Sequence, residues 1–191
     1  MPGEKSSTRI SRESGSELLI EAVIELARTT PVARLTVRDI ASTAGLQTMQ
    51  LKRYFGSRNE LLVAVTNVLM KRIMDPLFEL ALPQIFPLLQ KNEDVALRLR
   101  IVNHLLDEGV DAKSFENDRD IYLRIAERIA EVNNVGKRTA RTYALLIQLV
   151  LQGNHLMGDV NGLTARQRKD IFDLLVVLGA GLKPSETALG W

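Results

Sequence analysis

The chain has no cysteine among its 191 residues. That absence removes disulfide frameworks, thiolate metal sites and cysteine nucleophiles, and takes away the usual support for an extracellular role. No run approaches the roughly 18 apolar residues that a membrane span needs. The opening stretch, Met1 to Ser16, is polar and lacks a signal-like apolar core. A cytoplasmic location without a membrane partner is therefore expected. Strand-like alternation and internal repeats are missing too. No nucleophile, paired-carboxylate or phosphate-loop motif stands out, so an enzyme and a cofactor are not expected. Glu116, Asp118 and Asp120 read as the acidic opening of a helix. His104 and His155 lie far apart without a neighbouring ligand set, which argues against a metal.

Net charge is also small, at +2, so the position of the charges says more than their sum. Through Arg58, nine basic residues face six acidic ones, whereas the remainder carries 16 basic against 17 acidic. The acids of the first part gather before Pro31, at Glu4, Glu13, Glu17, Glu21 and Glu25. Arg38, Lys52, Arg53 and Arg58 gather after it. A solvated helical face has the same look, so this asymmetry alone assigns nothing.

What the sequence has in abundance is apolar residues at helical spacing, which predicts an all-α fold. A first helix is expected from about Gly15 to Thr29, burying Leu19, Ala22, Val23 and Leu26 and stopped by Pro31. A second begins at Thr36, with Asp39 at the capping-box position and Val37, Ile40, Ala41 and Ala44 turned inward. Gly45 permits a left-handed turn. A short third helix, about Thr48 to Phe55, turns Leu51 and Phe55 inward and leaves polar and basic residues outside. Ser57 and Glu60 form a second capping box, starting a helix that runs to Pro76. Pro76, Pro83 and Pro87 break whatever helix lies between Leu77 and Gln90. Further helices are expected near Glu93 to Glu108, Asp118 to Val132, Lys137 to His155 and Thr164 to Leu182, with an irregular tail after Lys183-Pro184.

One string resembles a known family. Leu35-Thr36-Val37-Arg38-Asp39-Ile40-Ala41, Ala44-Gly45-Leu46, Leu51 with Arg53-Tyr54-Phe55-Gly56-Ser57-Arg58, and Glu60-Leu61-Leu62 are similar to the DNA-binding module of the tetracycline-repressor (TetR) regulators. The likeness is ungapped from Glu17 to Leu62, about a quarter of the chain. It implies a flexible basic arm (residues 1–14), a three-helix DNA-binding domain with a helix-turn-helix (15–60), a larger helical effector-binding and dimerisation domain (61–183) and a short tail (184–191). It departs from the family at four places: Lys52 stands where tyrosine is usual, Met49 where glycine or another small residue is usual, Gln47 where a serine caps the helix, and Pro31 where a glycine ends the first helix. The target sequence therefore does not carry over from relatives.

Under that resemblance the DNA-binding residues are Thr36, Arg38, Gln47, Thr48, Met49, Gln50, Lys52, Arg53 and Arg58. Arg38 either forks onto guanine O6 and N7 or contacts a phosphate. Gln47, Thr48 and Gln50 offer amide and hydroxyl groups to base edges, glutamine suiting adenine. Met49 either meets a thymine methyl or holds the helix slightly out of the groove. Lys52, Arg53, Arg58 and the Thr36 hydroxyl suit phosphates, and Lys5, Arg9 and Arg12 of the leading arm are further candidates for the backbone or minor groove.

The expected partners are double-stranded DNA with a palindromic operator, a small-molecule effector of unknown identity and a second copy of the chain. Polar residues in otherwise apolar helices, Asn103, His104, Tyr122, Tyr143, Gln148 and Gln152, are candidate effector contacts. The last two long helices are apolar almost all round, which points to a dimer interface at Tyr143, Ile147, Leu151, Ile171, Leu174, Leu175 and Leu178. The expected function is a sequence-specific transcriptional regulator, a repressor released by its ligand. The competing readings are a DNA-organising or protein-responsive helix-turn-helix protein without a metabolite, and a helical enzyme or carrier.

Overall fold

In a computed structural model, residues 11–80, 84–85, 88–89 and 92–191 are described, apart from the side chains of residues 79 and 116–118. Lys5, Arg9, Pro83 and Pro87 lie outside them. The fold is all-helical, with no strand among the described residues. Its elements are α1 (Arg12–Thr29), α2 (Val37–Thr43), α3 (Thr48–Phe55), α4 (Arg58–Met74), α5 (Glu93–Asp107), α6 (Glu116–Asn133), α7 (Lys137–Met157), α8 (Ala165–Ala180) and α9 (Leu182–Leu189). Short 3-10 turns lie at Val32–Arg34, Asp75–Glu79 and Ala112–Phe115.

α1 starts earlier than its apolar period suggests. The Ser14 backbone N–H donates to Ser11 Oγ at 3.0 Å, and this cap draws Arg12 into the first turn. Arg12 is thus a helical residue, not part of a free arm. At the other end Thr30, which precedes Pro31, is extended at φ −114° and ψ 133°. α4 ends at Met74, and Pro76 occupies the opening of the following 3-10 turn, where its missing N–H costs nothing. The tail is a further correction: Leu182–Leu189 is helical. Pro184 falls in its first turn, where proline is tolerated, so the helix begins through the proline rather than stopping at it.

Two compact units follow from the contacts, Met1–Thr66 with Ile101–Val110, and Asn67–Arg100 with Asp111–Trp191. In the first, α1, α2 and α3 pack on one another, with Leu19, Val23, Ile40, Leu51, Leu61 and Leu62 fully buried. Each such side chain contributes about 1.5–3 kcal/mol relative to exposure. In the second, α6 packs on α7, α7 on α8 and α8 on α9, around a core of Ile129, Ala140, Tyr143, Ile147, Phe172 and Leu175.

That core corrects most of the expected dimer contacts. Tyr143, Ile147 and Leu175 are buried inside the chain and Leu151 packs against the same core, while Ile171 is half-buried. Positions 143, 147 and 151 follow one helical stripe that the chain covers itself. The uncovered stripe lies beside it: Leu145, Leu146 and Leu149 on α7, and Leu174, Val177 and Leu178 on α8, are exposed. Apolarity all round a helix does not say which face the chain itself covers.

Candidate nucleic-acid interface and apolar chamber

α2 and α3 are built by local chemistry. Asp39 N–H donates to Thr36 Oγ1 at 3.1 Å, and Thr36 N–H returns to Asp39 Oδ2 at 3.3 Å, closing a reciprocal capping box. Gly45 turns the chain at φ +66°, a conformation that costs glycine nothing. α3 has only eight residues, too few to hold as an isolated helix, and it is secured by burying Leu51 and Tyr54. Gly15 permits this seat, because a Cβ there would stand 2.5 Å from the Tyr54 ring. After Gly56, Ser57 N–H donates to Glu60 Oε2 at 2.8 Å and Glu60 N–H to Ser57 Oγ at 3.1 Å, the capping box that opens α4.

With Leu51 and Tyr54 turned in, α3 presents Thr48, Met49, Lys52 and Arg53 outward, preceded by an exposed Gln47. Thr48 and Lys52, and likewise Met49 and Arg53, are one helical turn apart and share a face. Arg53 lies over Tyr54, its Cζ 5.0 Å from the ring centroid and Nη2 donating to the Tyr54 hydroxyl at 3.1 Å, which leaves most of its guanidinium fork available. Arg38 is exposed on α2. Helix-turn-helix proteins place such a surface, exposed donors on a short helix braced from behind, in the major groove.

Three of the sequence candidates are already engaged within the fold. Thr36 donates both its N–H and, at 2.5 Å, its hydroxyl to Asp39, so the capping box uses the donors that a phosphate would need. Gln50 Oε1 accepts from Gln47 N–H at 2.9 Å, leaving the Gln50 amide chiefly a donor. Arg58 points inward. Its Nε donates to the Leu35 carbonyl at 2.8 Å, Nη2 to the Val32 carbonyl, and Nη1 reaches His104 Nε2 at 3.2 Å. Burial lowers its pKa, with Glu108 opposing. A phosphate role for Arg58 is thereby replaced by a clamp on the turn between α1 and α2.

The second unit holds a partly open, mainly apolar pocket of about 160 Å³. Its wall includes Met70, Ile73, Met74, Leu77 and Phe78, then Val95 and Leu99 of α5, Ile121 and Ile125 of α6, and Ile147 and Leu151 of α7. Of the candidate effector contacts, Tyr122, Gln148 and Gln152 line it. The other three do not: His104 meets Arg58, Asn103 is not on the wall, and Tyr143 donates its hydroxyl to the Leu175 carbonyl inside the core. Sequence reading missed Arg98 and Arg128, both on the wall. Arg128 Nη1 donates to the carbonyls of Leu77 at 3.4 Å and Phe78, and Nη2 to that of Leu80. Arg124, one turn earlier, stacks on Phe78 with its Cζ 3.9 Å from the ring centroid. The two arginines pin the segment after α4 against α6. Their i, i+4 spacing was visible in the sequence; their target was not.

Comparison with known proteins agrees with this geometry. Residues 19–65 match the model of the family described as bacterial regulatory proteins, tetR family. The nucleoid occlusion factor SlmA of Marinobacter nauticus is 29% identical over 99 residues, half of this chain and 45% of that protein. The chain thus aligns with a little under half of that curated relative's length. A transcriptional regulator from Rhodococcus sp. Rha1 superposes with a TM-score of 0.67 at 17% identity, over 85% of this chain and 94% of its own. A chain from Pseudomonas aeruginosa PAO1, assigned as a transcriptional regulator, gives 0.58 at 20% identity over 94% and 97%. These two likenesses are of fold. Among the described residues no group of His, Asp or Glu is gathered to hold a metal ion, and no helix is long and apolar enough to cross a membrane.

Proposed function

From the match of residues 19–65 to the tetR family of bacterial regulatory proteins, we infer that the chain is a DNA-binding regulator of that kind, a cytoplasmic, ligand-released transcriptional repressor acting as a homodimer on a palindromic duplex. The observation that carries this reading is α3, whose exposed Gln47, Thr48, Met49, Lys52 and Arg53 are braced by buried Leu51 and Tyr54 within the matched segment. Arg38 and the base-facing residues of α3 choose the sequence, and Lys52 and Arg53 hold phosphates. Dimerisation follows the uncovered stripe of Leu145, Leu149, Leu174, Val177 and Leu178, an apolar patch of the kind that pairs with its own copy about a two-fold axis.

The effector this reading calls for is a mainly apolar small molecule with a few hydrogen-bonding groups. Methionine, leucine, isoleucine and phenylalanine side chains surround the space, and Tyr122, Gln148 and Gln152 supply the polar contacts. Such a ligand releases DNA only by binding one conformation better than the other, each ~1.4 kcal/mol of preference shifting the ratio tenfold. A second reading, a DNA-organising protein that needs no metabolite, is prompted by the likeness to a relative named as a nucleoid occlusion factor.

Selection of duplexes from a random pool with the purified chain separates these. Enrichment of a palindrome, and its release by apolar compounds that also raise the melting temperature, supports the ligand-released repressor. A palindrome that no compound releases favours the second reading, and uniform affinity for all duplexes contradicts sequence-specific regulation.

A further inference from the structure

Met49 is 72% exposed at the second position of α3, far more than Leu18 or Leu106, the other large apolar side chains exposed among the described residues of its unit. The fold makes no use of it. Leu51 and Tyr54 supply the buried face of α3, whereas Met49 stands among Thr48, Lys52 and Arg53 on the polar side. An apolar side chain so placed loses contact with water usefully only if another surface covers it. Resting on the DNA-binding function proposed above, we infer that Met49 is a specificity residue that reads thymine, its thioether end packing on the C5-methyl group in the major groove of each half-site.

The chemistry narrows the choice of base. The first residues of a recognition helix are those that reach base edges. Among the groups displayed in the major groove, the thymine C5-methyl is the apolar one, the others being hydrogen-bond donors and acceptors. An unbranched, polarisable side chain adapts to a methyl group without demanding a fixed geometry. A buried methyl is worth roughly fourfold in affinity, so two symmetric half-sites amount to roughly fifteenfold. That is enough to set a base preference, and too little to account for binding as a whole.

The test uses the enriched duplex, with deoxyuridine replacing thymine one symmetric pair at a time. Deoxyuridine keeps every hydrogen-bonding group and removes only the methyl. Wild type is expected to lose roughly tenfold or more at one symmetric pair of thymines. Met49→Ala is expected to bind the thymine duplex as weakly as wild type binds the deoxyuridine duplex, and to lose nothing further on replacement. Met49→Leu should keep most of the preference. Circular dichroism and melting temperature, expected to match wild type because Met49 is exposed, confirm that the variants are folded. If wild type ignores every replacement, or Met49→Ala shows the same losses as wild type, the inference is overturned while DNA binding stands. If no duplex is enriched, sequence-specific reading itself fails and the inference falls with it.

Discussion

Arg58 Nη1 lies 3.2 Å from His104 Nε2, joining the start of α4 to the last turn of α5, while the same guanidinium holds the carbonyls of Val32 and Leu35. Because arginine can only donate, the imidazole nitrogen accepts. One side chain therefore fixes the turn that sets α2 against α1. Arg58→Ala leaves two carbonyls of buried residues without their donor, which should cost about 1–3 kcal/mol. Arg58→Lys should recover little, since an ammonium cannot reproduce the fork. Thermal melts measure both. The dependence of DNA affinity on salt should keep the wild-type slope in either variant, because Arg58 faces the protein; a shallower slope would restore it to the phosphate contacts.

Tyr143 and Gly179 meet closely in the second unit. A Cβ on residue 179 would stand 2.7 Å from the Tyr143 hydroxyl. Gly179→Ala should therefore destabilise the chain by about 1–3 kcal/mol through overpacking. Desolvation raises the Tyr143 phenol from 10.0 to about 12, a backbone hydrogen bond from Gly179 opposing. A raised folded value means that this group's share of stability is intact below pH 10 and is lost as pH rises toward 12. Denaturation curves across that window should show the loss in wild type, and a smaller one in Tyr143→Phe.

His155 gives a slope at the other end of the scale. Burial lowers its pKa below the ordinary 6.5, a hydrogen bond to the Leu89 carbonyl opposing and the charge of Arg168 adding to the fall. Its Nε2 is buried without a partner among the described residues. The folded state thus resists protonation, so stability should be full above about pH 6.5 and should decline as pH drops through the lower folded value. Melting temperatures between pH 7.5 and pH 5 test this. His155→Gln should flatten the decline; an equal decline in both would assign it elsewhere.

The uncovered stripe of α7 and α8 makes a separate prediction. Leu149 is 64% exposed and Val177 67%, so replacing either with glutamate disturbs little of the chain's own core. Leu149→Glu and Val177→Glu should be folded monomers by light scattering, with DNA affinity reduced more than tenfold because each half-site is then bound alone. Ile147→Glu should instead unfold the chain, since Ile147 is buried within it.

These contrasts mark what the sequence makes legible. Thr36 with Asp39, Gly45, and Ser57 with Glu60 act over three residues or fewer, and the structure holds each in its expected role. Arg58, Arg128 and Tyr143 find their partners 23 to 51 residues away, where spacing along one helix carries no information. Arg58 had a basic residue's usual reading and proved to be a clamp. Tyr143 had a polar residue's reading and proved to be core. The apolar stripes of α7 and α8 were visible as excess hydrophobicity, but which stripe the chain covers depends on α6 and α9, and so on tertiary packing.

The most direct measurement is fluorescence anisotropy of the enriched duplex and a scrambled one, titrated with wild type and Lys52→Ala from low to high salt. Wild type should prefer the enriched duplex by roughly a thousandfold or more and weaken steeply with salt, and Lys52→Ala should weaken on both duplexes with a shallower slope. Equal affinity of wild type for the two duplexes, or no binding to either at low salt, would contradict α3 as a DNA-reading helix.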